Sequence, residues 1–173
     1  MKKVAVVTCI GFATVLGIQQ YQLFKITDSV AEVSADLKFI TQTNKQVAFS
    51  EKDEACLAQN IYYEAGVENE KGKYAVAQVT INRLETKRWG DTICKVVHAK
   101  AQFSWTLKKK LHKPVGKAWE DSQWIAHRVL RGDHVPSLEQ SHFYHADYIK
   151  SPKWSKSMTE VTQIGRHIFY QKT

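Results

Sequence analysis

Residues 50–66 read SEKDEACLAQNIYYEAG and predict the first helix of a folded domain. A serine followed three residues later by an acidic residue, here Ser50 and Asp53, has the spacing of an N-capping box. Apolar residues then recur four positions apart, at Leu57, Ile61 and Ala65. A glycine follows, which favours a helix end. We therefore expect a helix over about 51–65 with one buried face.

Glu64 falls on the apolar stripe of this helix, seven residues after Leu57 and three after Ile61. Burial disfavours the ionised carboxyl and raises its pKa, so the group can hold a proton near neutral pH. Such an acid can protonate a leaving oxygen, as glycosidic cleavage requires. The alternative is a carboxylate turned to water or paired with Arg83 or Arg88, and the spacing alone does not choose between the two.

Residues 50–173 carry further helical patterns. Residues 73–84 alternate like a strand, but their alanine content and length favour a helix. Residues 117–131 form an amphipathic pattern ended by a glycine. Residues 135–170 are rich in His, Tyr, Trp and Ser with little periodicity, which is typical of loops lining a cleft. We predict a mainly α domain with minor strands.

The amino terminus predicts export. Lys2 and Lys3 precede an apolar run over residues 4–18, as in export signals and signal anchors. As a helix this run spans about 22 Å, short of the roughly 30 Å hydrocarbon core. Because no small-x-small cleavage site follows, we favour an uncleaved signal anchor at 1–24, with a buried core helix as the alternative. Residues 25–49 then form a tether or linker helix. The domain is expected in the periplasm or extracytoplasmic space, anchored at the inner membrane or secreted.

The formal net charge of +8 favours an anionic partner. Nucleic acid, anionic lipid and a wall polymer rich in carboxylates and phosphates all satisfy that condition. Charge alone does not distinguish them.

The chain has three cysteines. Cys9 lies inside the predicted anchor, which leaves Cys56 and Cys94 as the pair within the domain. In an oxidising compartment these two can form a disulfide, which is our prediction. The alternative is two separate buried thiols.

Ordered sequence blocks run through the whole domain. They read CLAQNIYYEA at 56–65, then Glu68, AVAQV at 75–79, NR at 82–83, ICKVV at 93–97, QFSWT at 102–106, HFYHA at 142–146, SPKW at 151–154 and IGRHIFY at 164–170. Together they resemble the SleB-type cell wall hydrolase family, relatives of the spore cortex-lytic enzymes, from about residue 54 to residue 170. Several blocks in one order are far more specific than a single short motif.

The resemblance implies a lysozyme-like single catalytic domain, a peptidoglycan substrate and Glu64 as the catalytic residue. The burial argument reaches the same residue independently. The family usually reads Glu-Ala-Arg-Gly-Glu where this chain has EAGVE at 64–68, so the arginine is missing and the turn glycine has moved.

Polar and aromatic residues of these blocks are candidates for binding sugar, because aromatic faces stack on pyranose rings while amides and hydroxyls satisfy sugar hydroxyls. The candidates are Glu68, Gln78, Asn82, Gln102, Ser104, Trp105, His142, Tyr144, His145 and Tyr170. Core packing is the alternative for Trp105, Tyr144 and Tyr170, and exposure to water is the alternative for Gln78 and Asn82. His142, His145 and His167, with Asp147, match no strong zinc pattern. We predict no metal and no cofactor.

These features predict cleavage of glycan strands between N-acetylmuramic acid and N-acetylglucosamine. One clear carboxylate favours a lytic transglycosylase, whereas a muramidase-type hydrolase needs a second one, Glu68, Glu70 or Asp91. Two rival functions are a cell wall peptidase using cysteine and histidine, and a basic nucleic-acid-binding module. The expected partners are peptidoglycan and, through the amino-terminal helix, the membrane. We expect no nucleic acid partner and a monomer.

Overall fold

Helix α1 (Glu51–Ala65) begins and ends where its sequence pattern predicts. The Ser50 side chain accepts a hydrogen bond of 3.1 Å from the backbone N–H of Asp53, which caps the helix. Leu57, Ile61 and Ala65 are fully buried. The apolar stripe of α1 therefore faces the core of the domain.

The computed structural model describes residues 30, 33 and 34 and residues 49–173. Residues 30, 33 and 34 are helical, and the predicted anchor at 1–24 lies outside the described residues. No helix in the described part of the chain is long and apolar enough to cross a membrane.

Helix α2 (Glu70–Thr86) extends the helix predicted over residues 73–84 in both directions. Asn69 caps its first turn by accepting from the N–H of Gly72 at 3.0 Å. Ala75, Val76, Ala77 and Val79 are all buried, so apolar residues lie on more than one face of this helix, and their spacing in sequence does not distinguish it from a strand.

Residues 87–157 contain two further helices and three 3₁₀ turns. Helix α3 spans Ile93–Val97 and α4 spans Gly116–Val129. The 3₁₀ turns lie at Ser104–Leu107, Pro136–Leu138 and Lys153–Ser157.

Residues 135–170, expected to form loops, contain much of a three-stranded antiparallel sheet. Its strands are β1 (Phe143–Ala146), β2 (Met158–Ile164) and β3 (His167–Lys172), in the order β1-β3-β2. The pairing of β2 with β3 shifts register between Glu160 and Thr162. That irregularity breaks the alternation by which a half-buried strand is recognised in sequence.

The helices and the sheet pack on two sides of α2. Ala77 belongs to the cluster formed with α1, α3 and α4, whereas Ala75 and Val79 pack with Leu138 and Phe169. Tyr144 of β1 touches both clusters, and this places it between the sheet and the helices.

Cys56 of α1 and Cys94 of α3 are joined by a disulfide, with Cα atoms 5.3 Å apart and a sequence separation of 38. The bond attaches α3 to the helix that carries Glu64. Neither sulfur is therefore available as a thiolate.

Candidate active site

Glu64 lies at a pocket between the end of α1 and the sheet. The pocket has a volume of about 630 Å³, and Glu64 is the one carboxylate among its lining residues. The lining residues that bear polar or aromatic side chains are Tyr63, Glu64, Arg83, Gln102, Ser104, Lys108, Tyr144, His145, Tyr148, Trp154 and His167. A single acid is thus surrounded by aromatic rings and hydrogen-bond donors.

The hydroxyl of Tyr144 donates a hydrogen bond of 3.0 Å to Oε2 of Glu64. Burial raises the pKa of Glu64, and the Tyr144 hydrogen bond acts against that rise by stabilising the ionised form. Burial, together with the charge of Glu64, raises the pKa of Tyr144 well above its usual value. Tyr144 therefore remains protonated and keeps its role as a donor.

Positive charge also acts on Glu64. The guanidinium of Arg83, the ammonium of Lys108 and the backbone N–H of Ser104 each lower the pKa of Glu64, although burial prevails. Such a carboxyl keeps its proton to higher pH than an exposed one, and its hydrogen-bonding and cationic neighbours stabilise it once the proton has left. The site can therefore supply an acid and afterwards a base from one residue.

Arg83 is held in the protein interior with 4% of its surface exposed. Its Nε donates to the carbonyl of His142 at 2.9 Å, and its guanidinium carbon lies 4.9 Å from the ring centre of Phe103. Its Nη1 is buried and has no hydrogen-bond partner among the described residues. Aromatic packing and one carbonyl therefore hold the guanidinium in place beside the pocket.

Two histidines of the pocket are held by the sheet. Nδ1 of His145 donates to the carbonyl of Ala146 at 2.9 Å, and its Nε2 lies 3.1 Å from the hydroxyl of Tyr170. Tyr170, a predicted sugar-binding residue, is buried and does not line the pocket, but its hydroxyl contacts the His145 ring. His167 packs edge-on against Tyr144, and burial lowers the pKa of His167.

The QFSWT block divides between the pocket and the core. Gln102 and Ser104 line the pocket as predicted residues of the cleft. Trp105 does not, because it is buried and its Nε1 donates to Oδ1 of Asn60 at 2.9 Å. Its ring stacks on Tyr63 at 4.6 Å, so Trp105 supports an aromatic residue of the pocket.

Gln78 and Asn82 lie outside the Glu64 pocket. Their side chains hydrogen-bond each other at 2.7 Å, and Asn82 donates to the carbonyls of Leu138 and Ser141 at 2.6 and 2.7 Å. Gln78 accepts from the N–H of Val135 at 3.1 Å. Both amides therefore hydrogen-bond α2 to residues 135–141 and do not line the Glu64 pocket.

Glu68 and His142 also lie outside the pocket. Oε2 of Glu68 accepts from the backbone N–H of Arg166 at 3.1 Å, in the turn between β2 and β3. His142 stacks on Trp89 with ring centres 6.1 Å apart. Each residue is committed to a local structural contact.

Six pocket residues were not singled out as sugar-binding candidates in the sequence: Tyr63, Arg83, Lys108, Tyr148, Trp154 and His167. Four of these, Tyr63, Arg83, Trp154 and His167, lie within the blocks that carry the family resemblance, which was the available signal. Tyr148, Trp154 and His167 come from the segment that carries β1 and β3, far from Glu64 in sequence, and no local pattern records that proximity.

A protein-family model described as Cell Wall Hydrolase matches residues 67–170. Helix α1, with Glu64, precedes the first matched residue. The chain is 26% identical over 126 residues to the spore cortex-lytic enzyme of Bacillus subtilis (strain 168), covering 73% of this chain and 40% of that protein. It is 28% identical over 127 residues to the spore cortex-lytic enzyme of Halalkalibacterium halodurans, covering 73% and 37%. The chain thus spans about two fifths of the length of these relatives.

Two solved structures share the fold. The catalytic domain of the Bacillus cereus SleB protein superposes with a TM-score of 0.61 at 21% identity, covering 72% of this chain and 93% of that one. The catalytic domain of the germination-specific lytic transglycosylase SleB from Bacillus anthracis gives a TM-score of 0.58 at 21% identity, covering 72% and 98%. The mainly helical domain with a small antiparallel sheet is therefore the fold of these catalytic domains.

Proposed function

Because the chain belongs to the cell wall hydrolase family, we propose that it cleaves peptidoglycan between N-acetylmuramic acid and N-acetylglucosamine as a lytic transglycosylase. Glu64 is the single catalytic acid and base in this proposal. The curated relatives are spore cortex-lytic enzymes, and one solved relative is a lytic transglycosylase. The proposal carries that chemistry over to this chain.

The observation that carries the proposal is the isolation of Glu64. Among the residues lining the pocket in the described part of the chain, it is the only carboxylate. Hydrolysis by the retaining or inverting route uses two carboxyl groups that flank the scissile bond. A pocket with one carboxyl favours a reaction in which the substrate supplies its own nucleophile.

The reaction has two proton transfers. Protonated Glu64 gives its proton to the glycosidic oxygen, and the bond between that oxygen and C1 of the muramic acid breaks. The ionised Glu64 then takes the proton of the C6 hydroxyl as O6 of the same sugar bonds to C1. The products are a 1,6-anhydromuramic end and a new N-acetylglucosamine end, Glu64 is protonated again, and no water is consumed.

The neighbours of Glu64 fit the two halves of this cycle. Burial raises the pKa of Glu64 and so favours the protonated form that starts the reaction. Tyr144 and Arg83 favour the ionised form that must exist between the two transfers. Opposing influences on one carboxyl suit a group that changes its protonation state twice in each turnover.

We also propose that the domain acts outside the cytoplasm, held there by residues 1–24. The disulfide between Cys56 and Cys94 supports an oxidising location. Cell fractionation of the full chain, compared with a variant lacking residues 2–24, tests the anchor. A truncated variant that stays with the membrane would contradict it.

Mass spectrometry of fragments released from purified peptidoglycan tests the chemistry. We expect muramic ends lighter by one water than hydrolytic ends, and a loss of activity of about 10² to 10⁴-fold in Glu64→Gln, since the amide cannot deliver a proton. Reducing muramic ends, or near-normal digestion by Glu64→Gln, would overturn the proposal.

A further inference from the structure

A second concave surface surrounds Trp124, which lies on α4 with 51% of its surface exposed. Trp124 and Glu70 of α2 both line two cavities, of about 650 and 880 Å³. We call this surface the Trp124 groove. It shares no lining residue with the Glu64 pocket. Both volumes are in the range of sites that bind small ligands.

The indole of Trp124 is held in place while much of it remains open. The ring of Tyr74 packs edge-on against it with centres 6.4 Å apart, and Cζ of Arg128 lies 5.7 Å from its ring centre. Asp133 fixes both neighbours, because its Oδ2 accepts from Nε of Arg128 at 2.7 Å and from the hydroxyl of Tyr74 at 3.2 Å. The aromatic surface is therefore preorganised, which lowers the entropic cost of binding.

The charges of the groove balance, although the chain carries +8. Four carboxylates and four lysine or arginine side chains line it: Glu70, Glu120, Asp121 and Asp133, and Lys71, Lys73, Lys117 and Arg128. Several are already paired, as in the 3.1 Å contact between Lys73 and Asp121. A polyanion such as nucleic acid gains little from such a surface. The groove suits an uncharged ligand with many hydroxyl and amide groups.

We propose that the Trp124 groove binds an N-acetylamino-sugar strand at a second site, separate from the Glu64 pocket. The indole face covers the apolar face of one pyranose ring, and the paired charges around it offer donors and acceptors to hydroxyl and acetamido groups. The choice of sugar rests on the proposed function, whereas the groove itself does not involve Glu64. Attachment at two points raises the effective concentration of the strand at the pocket.

Titration of the full-length Glu64→Gln chain with chitotetraose, followed by the ¹H–¹⁵N signals of the five tryptophan indoles, tests the proposal. The Trp124 signal is assigned by its loss in Trp124→Ala. We expect that signal to shift saturably, and the Kd at this site to weaken about tenfold or more in Trp124→Ala but less in Trp124→Tyr, which keeps an aromatic face. Val67→Ala, at a site 97% exposed, is the matched control and should bind as the parent does. Thermal melting checks that each variant is folded.

The Trp154 indole reports on the other site, because Trp154 lines the Glu64 pocket. A Trp124 signal that stays in place at millimolar chitotetraose overturns the second site, whether or not Trp154 shifts. Self-association of the chain that depends on Trp124, without a sugar-induced shift, also overturns it and makes the groove a protein contact. Anhydromuramic products from the wild type would still support the proposed function in either case.

Discussion

The Tyr144 hydroxyl donates a 3.0 Å hydrogen bond to Oε2 of Glu64, across 80 residues of sequence. This contact joins β1 of the sheet to the last turn of α1. It stabilises the ionised carboxylate against the burial that destabilises it, and so lowers the pKa of Glu64 from the level that burial alone would set. Through this hydrogen bond, a residue of the sheet affects the pKa of a carboxyl on a helix.

Replacing Tyr144 by Phe tests the effect of this hydrogen bond on the pKa of Glu64. The loss of the hydrogen bond raises the pKa of Glu64 further, so the residue remains protonated to higher pH. We expect the alkaline limb of the profile of kcat/KM against pH to move to higher pH. We also expect kcat to fall by about 10- to 100-fold, because a hydrogen bond to a charged group contributes about 1.5 to 3 kcal/mol.

Tyr63→Phe is the matched control for that variant. Tyr63 lines the same pocket, but its hydroxyl donates to the backbone carbonyl of His112 at 2.7 Å rather than to Glu64. We expect the alkaline limb to stay in place in Tyr63→Phe. An equal displacement in both variants would mean that the Tyr144 hydrogen bond does not set the ionisation of Glu64.

Glu64→Gln should increase stability above acidic pH. The pKa of Glu64 is raised in the folded state, so as pH rises the unfolded chain ionises first and the wild type loses stability. The amide does not ionise and avoids this loss. The free energy of unfolding of Glu64→Gln minus that of the wild type should therefore grow as pH rises from below the unfolded pKa of Glu64 through its folded pKa. Urea unfolding at several pH values measures it, and a constant difference would contradict the prediction.

The helical half of the site was predictable because its signals are local. The cap at Ser50, the stripe through Leu57 and Ile61, and the position of Glu64 on it all lie within one helix. The hydrogen-bond partner of Glu64 was not predictable. Tyr144 reaches Glu64 only because β1 pairs with β3 and packs on α2. Pairings of this kind depend on tertiary contacts between distant segments, which periodicity does not report.

Gln78 and Asn82 were predicted to bind sugar but lie outside the Glu64 pocket, again because of contacts between distant segments. Four residues apart on one helix, they share a face in sequence, but the sequence does not say whether that face meets solvent, substrate or protein. Here it meets the backbone of residues 135–141, whose carbonyls and N–H groups need partners.

Removal of the disulfide should destabilise the domain without changing its chemistry. The bond between Cys56 and Cys94 closes 38 residues of chain, which contributes about 3 to 4 kcal/mol in the loop-entropy model. We expect the double variant Cys56→Ser, Cys94→Ser to lose about that much free energy of unfolding, measured with urea, and to release the same fragments from peptidoglycan. Cys9→Ser, outside the domain, is the control. Two titratable thiols in the folded, exported domain would show that the bond does not form.

Glu68 is the residue on which the rival hydrolytic mechanism depends, because it is the nearest in sequence of the carboxylates that could assist Glu64. Its Oε2 accepts from the N–H of Arg166, and a Cβ added at Gly165 would collide with that same oxygen. We therefore expect Glu68→Gln to lower the melting temperature while keeping most of the activity and the anhydromuramic ends.

Gly165→Ala disturbs the same contact between Glu68 and the N–H of Arg166 without changing the Glu68 carboxylate. It is therefore the matched control for Glu68→Gln. Gly165 has φ +57°, where a side chain is strained, so this variant should lose about 1 to 3 kcal/mol of stability. If Glu68 is structural, both variants lose stability and both still release anhydromuramic fragments. A loss of activity of about 10²-fold or more in Glu68→Gln but not in Gly165→Ala would instead assign a chemical role to the Glu68 carboxylate. In that case the single-carboxylate mechanism fails, and water becomes the nucleophile to test.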